Sequence, residues 1–265
     1  MIAALRPLPT LLRPRPLPRR WRGFVLPLLI LVVWETASRS GAVDHRLLPS
    51  LVRVAARAWT ELSHGNLPGD LAASLERSLA GFAVGAVLGL AAGLAFGLSR
   101  WTARLVGPSF DAFKQIALFA WIPLIAMWFG MGETSKIVFI ALAAFTPVVV
   151  NSWEGAANVP VQQVEIARVL NFGPIDLLFR LILPAAAPSI FAGLHLALIY
   201  AWLATIGAEY FMTIGPGIGS LMMGARERFE MDLVLLCVLL LGAVGLCLNQ
   251  GMGWLERRAL RWRAG

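Results

Sequence analysis

Long apolar runs alternate with polar segments along most of this chain, and their lengths predict its main elements. A helix needs about 20 mainly apolar residues to cross the hydrocarbon core of a bilayer. Six runs approach or exceed that length, and each is predicted to be a membrane-spanning helix. The predicted spans are approximately residues 23–42, 78–98, 115–131, 137–153, 189–208 and 233–255. The pattern therefore predicts an all-α, polytopic membrane protein with six transmembrane helices.

The composition agrees with a membrane protein. Hydrophobic residues make up 58% of the chain and charged residues only 14%, against roughly 45–50% and 25% in an average soluble domain. This difference excludes a soluble enzyme. The formal net charge of +8 could indicate a nucleic-acid partner, but the Arg residues lie mainly at the ends of apolar runs, and no nucleic-acid-binding motif accompanies them. We expect membrane lipid, and no nucleic acid, as a partner.

Basic residues at the two ends of the chain predict its orientation. Residues 1–22 contain six Arg, five Pro and no acid, which is typical of a disordered arm, and residues 23–265 are predicted to form the transmembrane domain. A cleaved signal peptide also begins with basic residues, but the sequence after Trp34 is not a clean small-residue cleavage site. The two ends together carry ten Arg and one acid, Glu256. Because six spans place both ends on one side, this charge predicts that both termini are cytoplasmic.

Glycine recurs at every fourth position along the second predicted span. This spacing leaves a stripe of bare backbone on one helix face, and it lets another helix approach closely where lipid provides no hydrophobic drive. The second span is therefore predicted to be a packing helix. The glycines of the stripe are Gly81, Gly85, Gly89, Gly93 and Gly97.

A long polar interruption, residues 154–188, is predicted to form a helix, a turn and a second helix at the cytoplasmic face. Apolar residues recur at helical spacing after Asn158 and Pro160. Residues 171–174, Asn-Phe-Gly-Pro, then end the helix, because Asn and Gly tolerate the left-handed backbone conformation and Pro cannot continue the helical hydrogen bonds. A second amphipathic turn follows and is predicted to end at Pro184.

Within this loop, Glu165, Ile166 and Ala167 are followed after three residues by Asn171, and after nine more by Leu-Ile-Leu-Pro at 181–184. The arrangement resembles the EAA motif of permease subunits of binding-protein-dependent ABC importers. The family pattern is Glu-Ala-Ala, three residues, Gly, nine residues, Ile, any residue, Leu, Pro. Asn171 replaces the Gly, and Asn is the least costly substitute where a positive φ is required. The resemblance is closest to the aliphatic sulfonate permeases of the nitrate, sulfonate and taurine branch.

The resemblance implies a homodimer of permeases in the bacterial inner membrane, docked on two ATPase subunits and supplied by a periplasmic or extracellular solute-binding protein. The loop would be the coupling helix that enters a cleft on each ATPase. The chain contains no GxxxxGK[ST] P-loop, so we expect no cofactor in this chain and ATP with Mg²⁺ in the partner ATPase. The implied coupling residues are Glu165, Ala167, Arg168, Leu170, Asn171, Phe172 and Gly173.

Three polar residues in or near the spans are candidates for the translocation path. His195 lies in mid-span, where an ionisable side chain is costly unless it faces protein or water. A neutral His bonded to a neighbouring helix is an equal alternative. Glu209 could face an external gate, although an interfacial carboxylate facing water is favoured. Asn151 is a weak candidate, since Asn in a span more often hydrogen-bonds to another helix. A single mid-span His cannot form a metal site, so we expect none.

Two other functions compete with the importer permease. A self-sufficient channel or secondary transporter is disfavoured, because proton or ion relays normally require several acids within the spans, and only Glu35 and Glu209 come near one. A membrane enzyme has no support from paired carboxylates, a nucleophilic Cys/His arrangement or metal-ligand spacing. We therefore expect a non-enzymatic permease subunit with no catalytic residue, which moves a small organic or inorganic anion, an aliphatic sulfonate foremost.

Overall fold

Helices form all of the regular structure in the computed structural model, which describes residues 22–40, 47–212 and 215–261. The predicted all-α fold class is therefore confirmed. The basic arm predicted for residues 1–22 lies outside the described residues, apart from Arg22. The chain forms two compact units, one ending at Arg53 and the other beginning at Val54.

The first unit contains helix α1 (Arg22–Arg39). Its apolar side chains between Val25 and Val33 are all more than a third exposed, as expected of a helix that faces lipid. The chain after the helix returns to its C-terminal end, where the Ser38 hydroxyl donates a hydrogen bond to the carbonyl oxygen of Leu48 over 2.9 Å. This contact fixes the exit of the chain from α1.

Three long helices, α3, α6 and α9, pack around one another in the second unit, and α6 contacts both of the others. Phe139 and Ile140 on α6 are fully buried, as are Ala197 and Ala201 on α9. These side chains form the centre of the core. The helices that follow α1 are α2 (Leu51–Ser63), α3 (Leu67–Leu98), α4 (Arg100–Phe113), α5 (Ile122–Phe129), α6 (Glu133–Ala157), α7 (Val161–Val169), α8 (Pro174–Asp176), α9 (Leu183–Phe211), α10 (Ile218–Glu227) and α11 (Met231–Ala259).

Four stretches of helix within the described residues are long and apolar enough to cross a bilayer: α3, α6, the stretch from α8 through α9, and α11. A fifth span results if the bent pair formed by α4 and the segment Leu118–Phe129 is counted as one. The first predicted span, residues 23–42, corresponds to α1, which has 18 residues and is not among these helices. The predicted number of six therefore depends on counting both the bent pair and α1.

The third predicted span, residues 115–131, contains Pro123 and is not one continuous α-helix. A 3₁₀ turn (Leu118–Trp121) leads into the short α5, and this segment lies at 92° to α4. Pro123 lies in the first turn of α5, where proline is accommodated, whereas it would disrupt a helix interior. The sharp bend itself lies between Phe113 and Leu118, before this proline.

The second correction concerns Pro184, which does not end the second helix of the polar loop. The chain from Pro174 to Phe211 is helical throughout. A π-helical stretch (Leu177–Ile182) precedes α9, and the Leu183 amide bonds to the carbonyl of Leu178. This wider turn accommodates the missing amide of Pro184, as π-turns commonly do at irregular points in helices. The polar loop is therefore continuous with the membrane-spanning helix α9.

The glycine stripe of α3 lies directly against α6. A Cβ atom at Gly93 would lie 2.6 Å from the carbonyl oxygen of Val149 and 2.7 Å from the Cβ of Ser152. At Gly89 it would lie 2.9 Å from the carbonyl oxygen of Phe145. Such distances are shorter than van der Waals contact, so the two backbones can approach this closely only because the side chains are absent.

We expect Gly93→Ala to lower the stability of the protein by about 1–3 kcal/mol, because the added methyl group must push α6 away or force side chains off their rotamers. Thermal unfolding of the detergent-solubilised protein measures this effect. Gly242→Ala on α11 is the matched control, since a Cβ there meets nothing within 4 Å. Equal melting temperatures for the two variants would contradict the packing interpretation.

Candidate functional site

The turn of the polar loop is held by a complete helix-ending motif. Asn171 has a φ of 59°, as predicted from its place in the EAA motif. The amide of Phe172 donates to the carbonyl of Ala167, and the amide of Asn171 donates to the carbonyl of Arg168, both over 3.0 Å. This pair of bonds satisfies carbonyls that a helix end would leave unpaired. Gly173 has an extended backbone with a φ of −70°, so the turn requires a left-handed conformation only at Asn171.

The loop buries few side chains and leaves an apolar surface exposed. Ala167 and Ile182 are buried and attach the loop to its own second helix and the start of α9. Glu165 is exposed, and its carboxylate has neither a hydrogen bond nor an ion pair among the described residues. The exposed apolar side chains around the turn are Ile166, Val169, Leu170, Ile175 and Phe179, each more than 60% exposed. We call these five residues the loop patch.

A cluster of buried charges joins α3, α6 and α9 at the opposite ends of these helices from the loop. Arg77 on α3 contacts Glu209 on α9, and its other donors form a paired contact with Glu133 at 2.6 and 2.9 Å. Glu209 is fully buried and Arg77 is 5% exposed. Lys136 is also buried, with its Nζ 3.4 Å from Glu133. The buried Glu209 and the half-exposed Glu133 balance the two buried cations, and such pairing allows ionised groups to be buried.

The same cluster also satisfies the first turn of α10. The amide of Gly219 donates to Glu209 over 2.8 Å, and the amide of Ile218 donates to the hydroxyl of Ser74 over 3.0 Å. Ser74 in turn donates to Glu209. Free amides at a helix start favour such acceptors. Gly217 has a φ of 153°, and a Cβ there would lie 2.6 Å from the Glu209 carboxylate carbon.

Glu209 therefore does not face water, which corrects the interfacial carboxylate favoured from the sequence. Arg77 and Lys136 were missed as members of this cluster, because Arg77 lies just outside the predicted second span and Lys136 just outside the fourth. The hydrogen-bonded partners are 56 and 132 residues from Arg77 in the sequence. The available signal in the sequence was a charged residue at the edge of an apolar run. Such a position does not show which residue pairs with that charge.

Outside the predicted spans, a second group of charges links α2 to the segment between α10 and α11. Arg57 donates to Glu230 over 2.7 Å. A hydrogen bond from Arg228, together with the charge of Arg57, holds the pKa of Glu230 below its usual value. Both contacts are partly exposed to solvent, where ion pairs contribute little to stability.

A cavity of about 670 Å³ lies between the α4–α5 bend, α6 and α9. Asn151 lines it, but its amide nitrogen donates to the backbone carbonyl of Pro147 over 2.8 Å. Most of the wall is apolar. The polar side chains on the wall are Lys114, Gln115, Thr146, Asn151 and Tyr200.

His195 does not line this cavity. Its Nε2 lies 2.6 Å from the side-chain oxygen of Asn249 on α11, and its Nδ1 lies 3.7 Å from a carboxylate oxygen of Glu256. This geometry matches the alternative of a His bonded to a neighbouring helix. The structure thus separates the three path candidates: Asn151 is at the cavity, His195 is at the α9–α11 contact, and Glu209 is in the buried charge cluster.

Comparison with known families and proteins adds an independent finding. The family described as the binding-protein-dependent transport system inner membrane component matches residues 85–261. The protein named an aliphatic sulfonates transport permease (SsuC) in Escherichia coli strain K12 is 40% identical over 237 residues, which cover 89% of this chain and 90% of that protein. The bicarbonate transport system permease protein CmpB of Synechococcus elongatus is 33% identical over 262 residues, covering 92% and 93%.

The solved structures include a similar fold. A chain of the MetNI methionine ABC transporter, in an inward-facing conformation, superposes with a TM-score of 0.60 and 18% sequence identity. The match covers 76% of this chain and 97% of that chain. At this level of identity the likeness shows the fold.

We expect Glu209→Gln to destabilise the protein by about 3 kcal/mol, because it removes the buried carboxylate of an ion pair and leaves Glu133 alone to balance the charges of Arg77 and Lys136. Thermal unfolding in detergent measures the loss. Glu76→Gln is the matched control, since Glu76 is an exposed carboxylate on α3, directly before Arg77 in the sequence. If both variants melted at the wild-type temperature, the cluster would have no role in stability.

Proposed function

This chain belongs to the family of inner membrane components of binding-protein-dependent transport systems, and we propose that it is the permease subunit of an ABC importer for an aliphatic sulfonate. A second copy of the chain completes the membrane path. Two ATPase subunits bind at the cytoplasmic face, and a solute-binding protein delivers the substrate from outside. ATP is hydrolysed in the ATPase subunits, with Mg²⁺.

The loop patch is the observation that carries the coupling role. Five large apolar side chains are exposed around a turn that protrudes between α7 and α9. An exposed apolar group of this kind marks a protein or membrane contact. Glu165 and Arg168, both exposed, lie among these apolar side chains and have no charged partner among the described residues. Such side chains favour a polar protein surface over the lipid interior. The loop thus has the chemistry of a docking surface for the ATPase.

The continuity of the loop with α9 gives a route for the coupling. Because residues 174–211 are one helical stretch, a displacement of the turn moves α9 without an intervening flexible joint. α9 contributes Tyr200 and Leu203 to the cavity wall. Movement imposed by the ATPases would therefore change the shape of the cavity, as alternating access requires.

The basic residues at the helix ends support cytoplasmic termini. Arg257 and Arg258 occupy the last turn of α11, and positive charges beside spans favour the cytoplasmic side. This orientation also places the loop patch in the cytoplasm, since an even number of spans separates it from the chain ends. The buried charge cluster then lies at the external end of the bundle.

We expect Glu165→Ala and Gly173→Leu each to lower ATP-driven uptake at least tenfold while the permease still inserts and binds lipid. Neither change should destabilise the chain. Glu165 is exposed without a partner among the described residues, and a Cβ at Gly173 would meet nothing within 4 Å. A loss of uptake would therefore report a contact with another protein. Uptake and ATP hydrolysis are measured together in proteoliposomes that contain the complete transporter.

Glu227→Ala is the control for this experiment, because Glu227 is an exposed acid on α10, far from the loop in sequence. It should retain wild-type uptake. Normal uptake in both loop variants would remove the coupling assignment. Uptake by the wild-type permease alone, without ATP or an ATPase, would instead support a channel or secondary transporter.

The substrate is tested by ATP-dependent uptake of radiolabelled butanesulfonate and bicarbonate by the wild-type transporter with its own binding protein. We expect uptake of butanesulfonate, and uptake of bicarbonate at less than a tenth of that rate. Bicarbonate is the informative competitor because one relative is named for it. Preference for bicarbonate would refute the sulfonate assignment and leave the permease function intact.

A further inference from the structure

The cavity between the α4–α5 bend, α6 and α9 has a mostly apolar wall that carries charge of one sign. Lys114 is the only charged residue among the described residues that line it, and no acid lines it. Large apolar side chains, including Phe113, Trp121 and Leu203, form much of the remaining wall. The cavity therefore combines one positive charge with an apolar surface.

Lys114 is held at this position by the end of α4. Its amide bonds to the carbonyl of Phe110 at the C-terminal turn of the helix, where a cation is favoured by the helix dipole. The chain bends immediately afterwards, and Gln115 and Leu118 also line the cavity. The bend that sequence periodicity did not predict is what places a lysine at the cavity wall.

The Lys114 ammonium has donors to spare. Its Nζ lies 2.6 Å from a carboxylate oxygen of Asp111, one turn earlier on α4. An ammonium carries three N–H donors, and among the described residues Asp111 is its only ion-pair partner. Asp111 does not line the cavity. The donors that Asp111 does not use are available to an acceptor that approaches Lys114 from the cavity.

The other polar side chains on the wall are weaker anion ligands than Lys114, because they are uncharged. Asn151 already uses one of its two side-chain N–H donors on the carbonyl of Pro147. The remaining donor is neutral, and a neutral donor binds an anion less strongly than an ammonium does. Lys114 is thus the group on this wall to which an anion would bind most strongly, since hydrogen bonds between two charged partners are the stronger ones.

We propose that Lys114 is the anion-binding residue of a transient substrate site in this cavity, and that the site takes an amphiphilic anion with a sulfonate head at Lys114 and an alkyl chain along the apolar wall. This inference rests on the proposed importer function and adds a binding residue to it. A compact anion such as bicarbonate has no alkyl surface to bury, so it gains little from the apolar wall. The cavity volume leaves room for a short-chain alkanesulfonate.

The site is tested with the complete transporter in proteoliposomes, using butanesulfonate and a saturating concentration of binding protein. We expect Lys114→Met to lower the maximal rate of ATP-driven uptake at least tenfold. The butanesulfonate concentration for half-maximal uptake should change little, because the binding protein captures the substrate first. Lys114→Arg, which keeps the positive charge, should retain most of the rate.

Asp111→Asn separates a substrate role from a purely structural one. It breaks the same ion pair as Lys114→Met but keeps the lysine on the cavity wall, so we expect it to keep uptake within about twofold of wild type. Equal losses in Asp111→Asn and Lys114→Met would show that only the ion pair matters and would overturn the proposal. Wild-type uptake by Lys114→Met would overturn it as well.

Two controls distinguish these outcomes from a failure to fold. Each variant must assemble with the ATPase and hydrolyse ATP at its basal rate. Arg104→Gln, which changes an exposed charge on α4, should transport normally. Lys114→Met could fail to assemble with the ATPase. If Lys114→Arg then also showed no uptake, the lysine would have a structural role and the proposed site would be refuted. If the wild-type transporter showed no ATP-dependent butanesulfonate uptake, the sulfonate function itself would fail, and this site with it.

Discussion

The close contact between the backbones of α3 and α6 is the constraint on which the rest of the fold depends. Lipid offers no hydrophobic drive for helices to associate, so contact area and close packing must provide the stability. Glycine at every fourth position gives α3 a face that meets the α6 backbone directly. Another face of α6 packs against α9, where Gly193 lies against Pro147 and Asn151. The three helices form one packed bundle around α6.

Burial of charge at one end of this body follows from the same close packing. Once α3, α6 and α9 are in contact, Arg77, Glu133 and Glu209 are brought together, and a charge without its partner would be costly in so little water. The cluster also satisfies the free amides of α10, so the start of that helix depends on side chains from α3 and α9. The start of α10, far from the loop, is in this way bonded to two of the core helices.

Features that depend on local chemistry could be predicted from the sequence, and those that depend on distant partners could not. Asn171 has its left-handed conformation because of its position at a helix end, and its neighbours alone indicate that. The glycine spacing on α3 indicates a packing face without naming the helix that packs there. Arg77 gives no such local signal, because its partners lie 56 and 132 residues away. Lys114 was missed for a related reason, since an apolar run gives the length of a span but not the bend between Phe113 and Leu118.

The placement of these features along α9 indicates how they work together. One end of α9 continues into the loop patch, its middle forms part of the cavity wall, and Glu209 at its other end is fixed in the buried charge cluster. Because α9 packs against both α6 and α3, we expect a displacement of the loop to move the three helices together relative to the elements outside them. The α4–α5 bend carries Lys114 and packs less extensively against α6 than α3 and α9 do. It is therefore the wall of the cavity relative to which the three helices can shift. A change in the width of the cavity at Lys114 is therefore the expected consequence of movement at the loop.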